Sequence, residues 1–321
     1  MTTTAVAETG LDLVIQGRYE LADGVICLLL GRRDGTALPA WQPGAHIDVI
    51  LPSGRVRQYS LTGDGDDPRI WEIAVLRESA GRGGSEEISQ QLDVGSAISV
   101  GGPRNHFVLD PAARYRFVAG GIGITPIRAM LPVVESLGAK WQLLYGGRSA
   151  GTMAYASELQ ERYGDRVLVR PQDKFGLLDL DGFLGNPAAD TLIYCCGPSP
   201  LLAAVEHQAQ AWPAGSLRVE RFAPVQRDPD AQDSEFEVEL AQTGVTVVVP
   251  ADRSILSVAE EAGAFVTAGC EEGTCGSCET PVLSGLVDHR DSVLTAEQRA
   301  HGNTMMICVS RCRGNRLVLD V

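Results

Sequence analysis

No stretch of eighteen apolar residues occurs in this chain, so the pattern of a membrane-spanning helix is missing. Met1 to Gly10 lack both a basic start and an apolar core, and no secretory signal is expected. Internal repeats and low-complexity tracts are missing too. Eight cysteines among 321 residues are too sparse for the disulfide framework of a small secreted domain. A net charge of −14 argues against nucleic acid as a partner. What these absences leave is a cytoplasmic protein with an ordinary 44% apolar share, long enough for two or three domains.

The cysteines that are present are grouped. Cys270-Glu-Glu-Gly-Thr-Cys275-Gly-Ser-Cys278 is followed thirty residues later by Cys308. Three thiolates separated by four and then two residues, with a distant fourth, form the plant-type pattern for a 2Fe-2S cluster. A loop that wraps so compact a core must turn tightly. Gly269, Gly273 and Gly276 provide positive φ at low cost and bare N–H groups for the sulfurs. A tetrahedral zinc site is the competing reading, but zinc ribbons supply a second close cysteine pair and here there is one. Cys308 is preferred as fourth ligand because Met305 to Val309 reads as an apolar strand. Cys312 competes for that place.

From residue 228 onward sixteen acidic residues face six basic ones, so this segment holds −10 of the total charge. A small acidic electron carrier suits docking on a basic redox partner, and acidity for solubility alone is the bland alternative. Arg227 to Glu235 is polar and contains proline, the texture of a linker. Beyond it, Phe236–Leu240 and Val245–Val249 read as strands paired about Thr243-Gly244, with a helix from Ser254 or Ser257 to Glu261. Residues up to about Leu109 carry short apolar runs broken by Gly, Pro and Asp, which suggests a small antiparallel barrel. From about Tyr115, strands at Arg116–Ala119, Trp141–Tyr145, Val167–Val169 and Thr191–Cys195 alternate with helices from Pro126, Tyr155 and Pro200, which predicts a parallel sheet.

Gly120-Gly121-Ile-Gly123-Ile-Thr125-Pro126 follows one of these strands and opens a helix. That is the context a pyrophosphate turn needs, with Thr125 expected as N-cap and Pro126 at the first helical position. A plain strand-to-helix turn is the alternative. Cys196-Gly197-Pro198 ends a later strand before another helix, in the crevice where dinucleotides gather. Cys196 there reads as a contact for a nicotinamide edge or as a small buried hydrophobe. Arg57-Gln-Tyr59-Ser60-Leu-Thr62 combines a cation, an aromatic ring and a hydroxyl on an alternating strand. Gly81-Arg-Gly83-Gly84-Ser85 offers backbone amides before a helix near Glu86. Both suit a flavin and its phosphate, and a solvated strand and loop are the alternatives.

Together these segments resemble the phthalate dioxygenase reductase family over nearly the whole chain. Arg57-Gln-Tyr59-Ser60 is similar to its flavin motif, Gly81 to Ser85 to its flavin-phosphate loop and Gly121 to Pro126 to its nucleotide turn, with Cys196-Gly197-Pro198 and Glu220-Arg-Phe222 following in family order. The resemblance implies an FMN-binding β-barrel over 1–110, an NAD(P)-binding α/β domain over 111–226, a linker over 227–235 and a β-grasp ferredoxin over 236–321. It implies that Ser60 approaches flavin N5, that Arg57, Gly83, Gly84 and Ser85 hold the phosphate, and that Ala74, Val75 and Leu76 line the ring edge beside Tyr59. Phe222 would cover the other flavin face. Arg148 and Ser149 would lie at the ribose end, with NADH preferred and NADPH the open alternative. The implied activity passes electrons from NADH through FMN and the 2Fe-2S cluster to a terminal oxygenase, a Rieske-type ring oxygenase or O-demethylase. Alternatives are the reductase of a bacterial haem monooxygenase and a redox-sensing or electron-storing protein. No catalytic triad or general base is required.

Overall fold

The computed structural model describes residues 10–63, 65, 67–78, 81–224 and 233–321. These divide at Glu220/Arg221 into two compact units.

The first unit opens with six strands, β1 (Leu11–Ala22), β2 (Val25–Gly31), β3 (Ala45–Ile50), β4 (Val56–Ser60), β5 (Ile70–Leu76) and β6 (Ala97–Asn105), arranged β4-β3-β6-β1-β2-β5. Every pairing in this sheet is antiparallel. Alternate residues point inward, as the two-residue period of a strand requires. Leu13 and Ile15, Leu28 and Leu30, Ile47 and Val49, and Trp71, Ile73 and Val75 make one core. The outer strands also meet, through a bridge between Leu61 and Ile73 and a bond from Thr62 N–H to Glu72 O of 2.9 Å. Helix α1 (Gly84–Gln91) follows β5 and buries Ile88 in the same core.

The chain then alternates strand and helix, as its periodicity predicts. β7 (Arg114–Gly120), α2 (Ile124–Ser136), β8 (Lys140–Gly147), α3 (Ala156–Tyr163), β9 (Val167–Pro171), α4 (Gln172–Phe175), α5 (Leu180–Leu184), β10 (Thr191–Cys196), α6 (Ser199–Ala209) and β11 (Leu217–Glu220) complete the unit. The sheet is wholly parallel, in the order β11-β10-β7-β8-β9. After β7 the chain moves outward on one side to β8 and β9, then returns to the other side with β10. The crevice between the C-terminal ends of β7 and β10 is therefore the switch point of the sheet, where ligands of open α/β folds bind.

In the second unit β12 (Phe236–Leu240) and β13 (Val245–Val249) form the expected hairpin, with Gly244 at φ 70° in its turn. α7 (Ile255–Glu261) starts at Ser254, whose hydroxyl accepts from Ser257 N–H at 3.1 Å. β14 (Glu279–Ser284), β15 (Val287–Asp288), α8 (Ala296–His301), β16 (Thr304–Met306), β17 (Arg311–Cys312) and β18 (Arg316–Leu319) follow. The mixed sheet runs β13-β12-β18-β14-β16. Ile255, Leu256 and Ala259 of α7 pack with Val238, Leu240, Leu317 and Leu319 in its core. Of the expected linker, 227–232 lie outside the described residues. Asp233 is already part of this unit, pairing with Arg290 at 2.6 Å.

Two local expectations are corrected. Thr125 is not the cap of α2, nor is Pro126 its first residue, which is Ile124. A 3-10 turn at Gly121–Gly123 carries the chain into the helix earlier, so Gly123 takes the cap position and the Thr125 hydroxyl donates to Ile122 O at 3.0 Å. Met305 to Val309 is not a continuous strand. β16 ends at Met306, and Val309 and Ser310 N–H both return to Met306 O, so Cys308 sits in a tight turn.

Candidate functional site

The cysteine loop needs its unusual backbone. Gly273 and Gly276 adopt φ of 70° and 74°, and Glu271 joins them at 55°. Gly269 does not take positive φ, and its expected turning role passes to Glu271. A Cβ on Gly273 would lie 2.6 Å from Val309 and 3.0 Å from the Asp291 backbone. The loop's amides turn inward. Glu272 and Thr274 N–H reach the Cys270 sulfur at 3.3 and 3.4 Å, while Cys270 and Ser277 N–H reach that of Cys275 at 3.4 and 3.5 Å.

Cys270, Cys275, Cys278 and Cys308 are all buried, and their thiols act on one another, Cys275 most strongly on Cys270 and Cys308 most strongly on Cys278. The neighbouring Cys275 holds the Cys270 thiol well below the usual range and Cys308 lowers Cys278, while Cys275 and Cys308 are themselves raised in turn. Cys270 and Cys278 are therefore the two held toward thiolate, the form that binds metal. Four cysteines buried on one loop and the turn after β16, with backbone N–H groups aimed at two of their sulfurs, suit a thiolate-bound 2Fe-2S core. Cys312 stands apart on β17, opposite Val287, its sulfur accepting from Gly314 N–H at 3.2 Å.

Sequence reasoning missed the brace behind this loop. Asp291, fully buried, accepts from Val293 and Leu294 N–H at 3.0 and 2.8 Å, and Ser292 N–H bonds Gly273 O at 2.8 Å. Only the turn-forming character of an Asp-Ser pair signals it.

At the switch point of the first unit, backbone crowding explains the glycines. A Cβ on Gly123 would lie 2.3 Å from the Cys196 carbonyl oxygen, and one on Gly120 would lie 2.7 Å from Pro198. Gly197 approaches Gly120 as closely, its Cβ meeting that Cα at 3.0 Å. The turns at Gly121–Gly123 and at Cys196-Gly197-Pro198 therefore come together as expected. Tyr145, unforeseen, steadies them by donating to Gly121 O at 3.2 Å. Cys196 is fully buried, its sulfur 3.8 Å from a Glu220 carboxylate oxygen. Enclosure pushes that Glu220 carboxyl up to about 8. Arg148 is exposed, and its carbonyl accepts from Asp173 N–H at 3.1 Å, while Ser149 N–H is held by the Thr152 hydroxyl at 3.3 Å. These sit after β8, at the same end of the sheet.

The flavin candidates gather around β4, β5 and the start of α1. Arg57 lies under Gly84, where a Cβ would come within 2.5 Å of its Nε, and it donates to Arg82 O at 3.2 Å. Gly83 caps α1 at φ 79°. The Ser85 hydroxyl accepts from Glu78 N–H at 3.0 Å, which leaves its proton free to donate. Tyr59 is half-buried and burial raises its phenol above the usual range. The Ser60 hydroxyl is buried and has no partner, a cost that a hydrogen-bonding ligand would remove. Ala74 and Val75 are buried and Leu76 is half-buried. A cavity of about 220 Å³ beside Val75 and Ser85 is also lined by Arg18 and Arg77, two cations the sequence motifs had not singled out. Phe222 is 46% exposed and belongs to the second unit.

Comparison with known proteins bears on both sites. Residues 117–207 match the oxidoreductase NAD-binding domain and residues 238–313 match the 2Fe-2S iron-sulfur cluster binding domain. The chain is 35% identical to phthalate dioxygenase reductase of Burkholderia cepacia, covering 99% of this chain and all of that one. The chain belongs to the phthalate dioxygenase reductase-like family. It is an oxidoreductase, with one domain for a nicotinamide nucleotide and one for a 2Fe-2S cluster, and FMN fits the family. The family's multidomain fold extends to a solved phthalate dioxygenase reductase, 34% identical with a TM-score of 0.72 over 97% of this chain and 98% of that one. Vanillate O-demethylase oxidoreductase of Pseudomonas putida is 36% identical over 97% of this chain and all of its own. An intact type IV self-sufficient cytochrome P450 monooxygenase is similar over this whole chain, 40% identical with a TM-score of 0.92, but the chain spans only 43% of that protein. No helix among the described residues is long and apolar enough to cross a membrane.

Proposed function

We propose that this chain passes electrons from NADH through FMN and a 2Fe-2S cluster to a separate terminal oxygenase, in the cytoplasm. When bound, the flavin accepts a two-electron hydride and delivers electrons one at a time, which is the conversion a one-electron cluster requires. The chain supplies the positions. Gly121, Gly123 and Thr125 open the helix that receives the pyrophosphate, and Gly197 and Pro198 leave room for it. Arg57, Gly83, Gly84 and Ser85 hold the flavin phosphate. Ser60 gives its unpaired hydroxyl to the ring, with Tyr59, Ala74, Val75 and Leu76 around it. Arg148 and Ser149 meet the ribose end. Cys270, Cys275, Cys278 and Cys308 ligate the cluster, and inward amides raise its potential by favouring added negative charge.

On this reading the six-stranded sheet is a barrel closed where Leu61 meets Ile73, and the second unit is a β-grasp ferredoxin. The domains are 1–110, 111–226 and 236–321, with 227–235 between the last two. The acidic ferredoxin segment, with Glu271 and Glu272 beside the ligands, docks transiently on a basic face of the oxygenase. The observation that carries the proposal is the burial of Cys270, Cys275, Cys278 and Cys308 on one loop and the turn after β16, with backbone N–H groups aimed at the sulfurs of Cys270 and Cys275, in a chain that also has a glycine turn at a sheet switch point. The test is reconstitution. NADH oxidation should drive product formation when a Rieske oxygenase from the same source is added, and an oxygenase that stays oxidised would sink the reading.

A second reading, service to a haem monooxygenase, is favoured by the likeness over the full chain to part of a cytochrome P450 monooxygenase. Reduction of a haem partner in preference to a Rieske partner would select it.

A further inference from the structure

We propose that Arg128 is a positioning residue that fixes the nucleotide turn against the flavin strand and so sets the reach over which hydride passes. The inference rests on the electron path proposed above. Arg128 lies on α2, five residues after Gly123, and only 9% of it is exposed. Its Nη1 donates to the carbonyl of Thr62, two residues beyond Ser60, and approaches a Glu72 carboxylate oxygen on β5 at 3.3 Å. Nε and Nη2 donate to one Glu158 oxygen on α3 at 3.2 and 3.0 Å. The guanidinium lies over the Tyr155 ring at 4.3 Å, and the Tyr155 hydroxyl donates to the same Glu72 oxygen at 2.9 Å.

These bonds join segments that are remote in sequence but adjacent to the two sites. On one side stand the end of the flavin strand and β5 just before Ala74. On the other stand the helix that grows from the pyrophosphate turn and the start of α3. A buried ion pair is a poor device for stability alone, since apolar residues of the same volume often do as well. Its strength is direction. A planar fork with five fixed donors holds an angle that a lysine, with one compact charge, does not hold. Hydride transfer depends steeply on that angle and distance. A backbone bond also crosses this seam, Asp23 N–H to Gly151 O at 2.8 Å, and it has no side-chain fork.

The experiment uses the full-length holoprotein carrying Arg128→Lys and, separately, Glu158→Gln. Flavin content, thermal midpoint, NADH dissociation constant and the rate of flavin reduction at saturating NADH are measured, with the long-wavelength charge-transfer band between nicotinamide and flavin. In R128K, NADH affinity should change less than about twofold while flavin reduction slows about 10- to 100-fold and the band weakens. A purely structural role would lower the thermal midpoint and leave rate and band as they are, which overturns the proposal. If R128K does not load flavin, E158Q decides, because it loosens the fork but keeps the bonds to Thr62 and Glu72. A slowing of about two- to fivefold at unchanged NADH affinity supports the positioning role, and an unchanged rate overturns it. Wild-type flavin that NADH does not reduce would instead defeat the electron path itself.

Discussion

The cysteine loop and the switch-point crevice are built in opposite ways. The loop's chemistry lies in side chains from one nine-residue run plus Cys308, and its backbone bends to serve them. The crevice's chemistry lies in backbone, with glycines admitted because Gly123 and Gly197 stand where any Cβ would strike the opposite turn. A site made of ligating side chains fails when one ligand is changed. A site made of close backbone fails when something is added. The first loss should be total and confined to the cluster, the second graded and shared with stability.

The sharpest way to test the contrast is Cys275→Ser. Iron-sulfur absorbance and electron delivery to cytochrome c should fall to background while NADH still bleaches the flavin, as followed by anaerobic spectroscopy. Cys312→Ser should leave the iron-sulfur absorbance intact. Survival of the cluster in the first variant, or its loss in the second, would reverse the ligand assignment.

Gly123→Ala comes next. Its Cβ would meet the Cys196 carbonyl oxygen at 2.3 Å, and backbone must move to admit it. A loss of about 1–3 kcal/mol in unfolding free energy is expected, with NADH binding weakened about tenfold, equivalent to about 1.4 kcal/mol. Denaturant titration and nucleotide titration check the two effects.

Ser60→Ala separates site from scaffold. The hydroxyl has no protein partner, so stability without flavin should change by less than about 0.5 kcal/mol. Flavin reduction by NADH should slow about tenfold, about 1.4 kcal/mol in the barrier. Equal losses in both would mean that the hydroxyl is structural.

The last effect, spread over pH, concerns Glu220. Burial raises its folded-state value to about 8, against about 4.3 in an unfolded chain. Between those values the folded protein keeps a proton that the unfolded chain has released. The contribution is therefore fully present below about pH 4 and is lost as pH rises to 8, at no more than about 1.4 kcal/mol per pH unit. The residue as a whole is half-exposed although its carboxyl is enclosed, so the measured slope should be shallower. Glu220→Gln should flatten the decline in urea midpoint between pH 5 and 8.

The same contrast explains what was legible in the sequence. Cysteine spacing encodes ligand geometry directly, and the Cys270 to Cys278 loop could be read without knowing its fold. The alternation of strands and helices after Tyr115 encoded the parallel sheet equally plainly, because buried parallel strands are apolar throughout. Thr125 was misjudged because a 3-10 turn and an α-helix share their first residues, and only the glycine contacts decide where one becomes the other. Cys308 was placed on a strand because Met305 to Val309 is apolar, a pattern that a tightly buried turn also satisfies. Asp291 showed only as a turn-forming Asp-Ser pair, because its partners are the nearby Val293 and Leu294 N–H groups. Tyr145 and Arg128 were invisible, since each acts through a partner distant in sequence and a lone aromatic or charged residue carries no local sign of that partner.

The central claim is that one chain carries both a nicotinamide-reducible flavin and a binuclear iron-sulfur cluster. It is tested most directly by an anaerobic titration of the purified protein with NADH, read in the visible spectrum and followed by acid release of the flavin. Overlapping flavin and iron-sulfur bands that bleach together, with FMN released, are the predicted result. A flavin spectrum with no iron-sulfur features despite a full iron supply, and zinc bound in their place, would contradict it.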